Sequence, residues 1–341
     1  MSDHNPIYHL KDCYFFEVPK ALWRYDWTKL GDVPQFLRDG NPEITDPAVF
    51  AEAMNGKILI PQPFAELHSL YAVKSGFGIS KYMILELLVA AIMALVFIRL
   101  AAKLRSGAPA TGRLANMLEA MVLFVRDQIA RPAIDSHDHH GDEHGHEIAA
   151  HGHGGHAAAI HAPAHEGDRF VPLLLTLFFF VLGCNLLGMV PWAGSPTASF
   201  SVTLSLAAVT FGTVVVAGML RFGVLGFFTN QVPSMDLPLP LAIVLKPMIF
   251  AIEMLGLCIK HLILAVRLLA NMVAGHLVLL GIMGLISAAA AYSTGLWATV
   301  TGISVVSCTL FSLLELFVAF LQAYIFTFLS ALFIGAAVHQ H

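Results

Sequence analysis

The sequence predicts an all-α polytopic membrane protein with about five membrane passes, the last two being very long, strongly tilted helices that form a hairpin. Three observations lead there. Lys, Arg, Asp and Glu make up 12% of the 341 residues, about half the share usual in soluble domains. Apolar types reach 57% and the mean hydropathy is +0.72. The charges are also unevenly placed, leaving long stretches with none. So few charges cannot cover a water-exposed surface, which excludes an ordinary soluble enzyme. The net charge of -4 and the lack of a basic cluster give no sign of a nucleic-acid partner. Cys13, Cys184, Cys258 and Cys308 are too scattered for a disulfide framework or a CxxC metal site. Charges at Asp3, Lys11, Asp12, Glu17 and Lys20 argue against a cleavable signal peptide.

Residues 1–78 are mixed and polar with scattered aromatics, and are expected to lie outside the hydrocarbon as an N-terminal extramembrane segment. The run from Tyr82 to Ile98 holds one charge, Glu86. About 20 helical residues cross roughly 30 Å of hydrocarbon, so the first span is placed at 79–101. A loop follows over 102–168. Its first part carries Lys103, Arg105, Arg113, Arg126 and Arg131, and a surface helix is expected near 113–131. Its second part, 137–165, holds ten of the seventeen histidines among Gly, Ala and Asp. Such a composition cannot build a core and reads as a disordered insert.

Phe170–Trp192 and Ser199–Leu220 are free of charge and form a two-span hairpin within 169–220, turning at Gly194-Ser195-Pro196. A loop over 221–238 contains Pro233, Asp236 and Pro238. The chain is then apolar from Leu239 almost to its end, so 239–341 is read as a helix pair, roughly 247–286 and 297–338. Forty helical residues measure about 60 Å, twice the hydrocarbon thickness. Each helix must lean by roughly 60°, run partly in the membrane plane, or break, and Gly256, Gly275, Gly281 and Gly284 would permit a break. With no Pro after Pro247 in either run, tilt is the expectation. The cluster of Arg and Lys after the first span places the 102–168 loop in the cytoplasm. Five passes then put the N-terminus outside and the C-terminus inside.

The ionisable residues of the last two helices carry the functional argument. Lys246, Glu253, Lys260 and Arg267 recur every seven positions, which returns to one helix face with about 20° of drift. Asn271 continues the stripe, and His276 lies about 180° round from Arg267. Glu315 and Gln322 share a face of the final helix. Structural ion pairing is the bland reading. Against it, each ionisable group near the bilayer centre costs at least ~2.5–3.5 kcal/mol, and such groups usually mark ion pathways. Glu and His can gain and release protons, whereas Arg stays cationic. Glu253, His276 and Glu315 thus suit two proton half-channels, separated by the fixed charge of Arg267. A mobile carboxylate to shuttle between them is missing and would have to come from another protein.

The run Val266-Arg267-Leu-Leu-Ala-Asn271-Met-Val-Ala-Gly275-His276, with Glu315-Leu-Phe-Val-Ala-Phe-Leu-Gln322-Ala-Tyr324, resembles subunit a of the F-type ATP synthase. So do Phe170-Val-Pro172, Asn185-Leu-Leu-Gly-Met-Val-Pro191, Pro196-Thr197 and Val202-Thr-Leu, and the likeness covers about 79–338. The resemblance implies that Arg267 is the essential arginine facing the carboxylates of a rotor ring, with Asn271 and Gln322 as its polar companions. It implies Glu253 in the cytoplasmic-side channel and the His276/Glu315 pair in the opposite one, His before Glu as in the mitochondrial type. It implies a c-ring, a subunit b stalk and, indirectly, a catalytic head as partners, a bacterial inner membrane as the location, and no cofactor.

The sequence departs from the family pattern in places. His261 stands where many relatives have Pro, and no acidic residue follows Pro196-Thr197. The histidine insert has no counterpart in the pattern. It suggests the alternative of a zinc transporter, with His137, His139, His140, His144, His146, His151 and His153 as weak ligands. Zinc transport also needs a compact intramembrane site of about four N, O or S ligands. No Asp follows Asp236 and no HxxxD pair occurs on any span, so no metal site is expected in the membrane. Walker, nucleophile-elbow and HExxH motifs are missing as well, so no self-contained active site is expected.

Overall fold

The computed structural model describes residues 12–105, 112–135, 166–190, 193–230 and 239–339. The histidine-rich stretch 137–165 lies outside them, as do the seven histidines named above. The first described segment contains β1 (Phe15–Glu17), α1 (Gln35–Asp39), α2 (Pro47–Met54), β2 (Lys57–Leu59), β3 (Ala65–Ser69) and β4 (Ala72–Gly76). The helices that follow are α3 (Lys81–Arg105), α4 (Arg113–Phe124), α5 (Arg131–Ile134), α6 (Val171–Gly188), α7 (Phe200–Asn230), α8 (Leu239–Ala289) and α9 (Thr294–Val338). Five of them are long and apolar enough to cross a bilayer: α3, α6, α7, α8 and α9.

The chain divides into two units. Unit one comprises Met1–Val96, Phe180–Leu204 and Ala265–Gln322, and unit two comprises Phe97–Phe179, Ser205–Leu264 and Ala323–His341.

In unit one, residues 12–80 add two small antiparallel sheets, β1 with β2 and β3 with β4, that the polar composition did not announce. A core of Val33, Leu37, Phe50 and Met54 closes under Tyr25, Trp27, Phe36 and Leu59. Asp46 starts α2 by accepting the backbone N–H of Ala48 at 2.9 Å, with Pro47 in the first turn. A carboxylate there satisfies an N–H that the helix cannot. The Gln62 side chain donates to the Ile79 carbonyl and accepts from the Ile79 N–H, both at 2.8 Å. It ties this lobe to the residues just before α3. Asp12 completes the tie by accepting the Tyr82 N–H at 3.3 Å.

In unit two, α4 runs on through a π-helical turn, Val125–Ala130, into α5. The chain is thus helical over Arg113–Ile134, slightly longer than the helix expected near 113–131. Val125, Ile129, Ala130 and Ile134 are fully buried. Arg131 grips Asp168 through two bonds of 2.8 and 2.9 Å, a bidentate geometry that fixes orientation as well as charge. His339 Nε2 lies 2.6 Å from the Ile134 carbonyl, holding α5 to the end of α9.

The connection expected from 221 is helical as far as Asn230, after a break at Gly223 with φ 75° and ψ 166°. That backbone is open to glycine and costly for a side chain. α8 begins and ends beyond its expected bounds, and α9 begins three residues early and ends at Val338 as expected. α8 has 51 residues and α9 has 45, and neither breaks at Gly256, Gly275, Gly281 or Gly284. At about 1.5 Å per residue, 45 residues measure roughly 68 Å, more than twice the hydrocarbon thickness.

Candidate functional site

The site is built in unit one from α8 beyond Ala265, α9 up to Gln322 and the 180–204 stretch. His276 is its centre. Its Nδ1 lies 2.9 Å from the Met272 carbonyl, four residues back on α8, and its Nε2 lies 3.2 Å from the Gly188 carbonyl at the end of α6. A neutral imidazole can donate to only one of these acceptors, and an imidazolium donates to both. Glu315 Oε1 stands 3.6 Å from Nδ1. The carboxyl side chain is 6% exposed, and Oε1 has no hydrogen-bond partner. An acid and an imidazole thus face each other within ion-pair distance with no bond formed. This geometry suits groups that trade a proton more than a locked structural pair.

The approach depends on Gly275. A β-carbon there would sit 2.6 Å from Glu315 Oε1, closer than real β-carbons come to other atoms. Close access of one helix to the other's carboxylate is what a glycine at this position provides. One turn on from Glu315, Asn185 is fully buried and donates through Nδ2 to the Ala319 carbonyl at 3.3 Å. Its Oδ1 is buried without a partner.

Arg267, Asn271 and Gln322 are all half-buried. Arg267 makes no hydrogen bond or ion pair among the described residues, and no bond joins it to Asn271 or Gln322. Its charge is not neutralised by an acid among the described residues. Of the remaining stripe, Lys246, Glu253 and Lys260 belong to unit two. All three are exposed and unpaired there among the described residues. The structure therefore brings together His276 and Glu315, leaves Arg267 open, and puts Glu253 on an unpacked helix face.

Comparison with known proteins follows this pattern. Residues 155–335 match the family model described as ATP synthase A chain. The chain belongs to that family. Among its relatives, a protein named ATP synthase subunit a from Anaeromyxobacter sp. is 33% identical over 338 residues, covering 98% of this chain and 70% of that one. The ATP synthase subunit a of Chlorobium phaeobacteroides is 31% identical, with 94% and 84% covered. The ATP synthase subunit a of Myxococcus xanthus is 40% identical over 230 residues, 67% of this chain. This chain spans 63% of the length of that relative. Membership and five bilayer-length helices make this a multi-pass membrane protein, and its relatives carry the name of one subunit of a larger enzyme.

Sequence reasoning passed over Asn185 and Gly275 as parts of the site, although both stood in the motifs that carried the resemblance. The signal for Gly275 was its place directly before His276. Nothing in the spacing tells that Asn185 reaches α9. Among the described residues no group of three or more His, Cys, Asp or Glu is placed to hold a metal ion, and nothing supports the zinc-transporter alternative.

Proposed function

We propose that the chain is the proton-translocating stator subunit a of a rotary F-type ATP synthase, in a bacterial inner membrane. Its N-terminus is outside and its C-terminus in the cytoplasm, as the basic residues after the first span suggest. Protons enter from outside through the His276/Glu315 pair and load a carboxylate of a c-ring. Arg267 attracts each ionised carboxylate as the ring turns and keeps the two aqueous half-channels apart. Protons leave along the side of Glu253, with Asn271 and Gln322 helping to place the arginine. The subunit b stalk holds the chain against the ring's motion, and the catalytic head carries out the nucleotide chemistry.

One observation carries the reading: Arg267 is half-buried and without an acidic partner among the described residues, in the same unit as an unbonded acid–imidazole pair. A guanidinium cannot deprotonate at physiological pH, so it demands a negative charge from elsewhere. A travelling carboxylate on a neighbouring ring meets that demand. The electrical drive available to each proton is ~2.3 kcal/mol per 100 mV.

The test is ATP-driven proton pumping in inverted membrane vesicles. Arg267→Ala should abolish pumping while the detached head still hydrolyses ATP. Retained pumping in this variant would overturn the role.

A further inference from the structure

Unit two contains a groove of ≈ 460 Å³ that the proton path does not use. Its charged lining is Glu166, Arg169 and Arg221, and we call that end its mouth. Arg221 Nη1 pairs with Glu166 at 2.9 Å, which satisfies the carboxylate and leaves further N–H donors on the guanidinium. Arg169 is exposed and has no partner among the described residues. Two guanidiniums against one carboxylate leave the mouth cationic.

The rest of the lining is different in kind. It includes Leu220, Val216 and Thr213, the last eight residues from Arg221, or about 12 Å along α7. The Thr213 hydroxyl is already bound to the Val209 carbonyl at 2.8 Å, so it offers no free donor. Val216 and Leu220 are 54% and 75% exposed. Arg169 stands just before α6 begins, and Arg221 just before the break at Gly223 ends the straight part of α7. In a two-span hairpin these positions share one membrane surface, with the apolar length reaching inward from it.

We infer that this groove binds an anionic phospholipid, its phosphodiester at Arg169 and Arg221 and one acyl chain along Val216 and Leu220. A free phosphate would use the mouth and leave the apolar wall bare, whereas a lipid fills both. Basic pockets between membrane helices on the cytoplasmic side are suited to such headgroups. The site is separate from the proposed proton path and stands without it.

The probe is a phosphatidylglycerol carrying a diazirine on its acyl chain, added to the assembled enzyme in phosphatidylcholine vesicles. Photolysis should label the 213–221 stretch. Unlabelled phosphatidylglycerol should compete, and phosphatidylcholine or inorganic phosphate should not. Arg169→Gln, which breaks no bond in the structure, should weaken labelling about fivefold, the worth of one arginine near a headgroup. Val216→Trp, which fills the groove without changing charge, should remove it. Labelling unchanged in both variants overturns the inference. So does equal competition by phosphatidylcholine or by phosphate. A photoreactive residue at position 216 that cross-links to another subunit would show a protein occupant instead and overturn it too.

Discussion

The Glu315 carboxylate presses on the place where a β-carbon on residue 275 would be, with Oε1 only 2.6 Å from that point. Residue 275 precedes His276, whose Nδ1 is 3.6 Å from the same oxygen. One missing methyl group on α8 therefore sets how closely an acid on α9 can approach the imidazole.

Gly275→Ala should force the carboxylate aside, at a cost of about 1–3 kcal/mol for overpacking, and lower proton flux through reconstituted enzyme. Gly284→Ala is the control. Nothing lies within 4 Å of a β-carbon built there, and alanine is favoured over glycine in helices by about 1 kcal/mol. Passive flux through vesicles depleted of the catalytic head compares the two. Equal flux in both variants would show that the Glu315 position does not matter for conduction.

Exchanging the pair as His276→Glu with Glu315→His keeps one acid and one imidazole in the site. Each single change leaves two like groups facing each other. The double variant should recover part of the pumping that each single variant loses. A double-mutant cycle on pumping rates should show a coupling of about 0.5–3 kcal/mol, the range for residues in contact. Strict additivity would separate the two roles.

The N-terminal lobe has its own test. Phe50 is fully buried in the Val33–Met54 core, and Phe50→Ala should cost about 3–5 kcal/mol. Leu22 is 75% exposed, and Leu22→Ala should change stability by no more than about 0.5 kcal/mol. Protease resistance of the 12–80 segment in the detergent-purified chain, followed against urea, measures both.

Deleting 137–165 should leave ATP-driven pumping largely intact, since no residue assigned to the proton path lies there. Loss of assembly on this deletion would make the insert a structural part of the complex.

The membrane helices were legible because a bilayer writes them as long runs without charge. Their ends were less so. α8 runs past its expected end because Ala288 and Ala289 support helix as well as they support a bend. The break in α7 hid in a single residue, Gly223, within an otherwise apolar stretch. The lobe at 12–80 was read as extramembrane without its sheets, since strands of three to five residues in a polar segment give too few alternations to stand out. Asp46-Pro47 was a readable helix start. The sevenfold stripe on α8 singled out Arg267 and Glu253 from periodicity alone, but only Arg267 falls in the unit that holds His276 and Glu315. The meeting of His276 with Glu315 was beyond that logic, because periodicity orders residues on one helix and says nothing about which turn of another helix they will meet. The resemblance to a known family supplied that pairing, and the 3.6 Å separation agrees with it.

The solitary guanidinium of Arg267 also bears on how a cell can safely make this chain. On the proposed function, a guanidinium with no acidic partner among the described residues would carry a burden of at least ~2.5–3.5 kcal/mol in the bilayer until a neighbour's acid met it. Copies made in excess of that neighbour would be poor residents of the bilayer. Supply of the two components in step would then be a requirement of the chemistry itself.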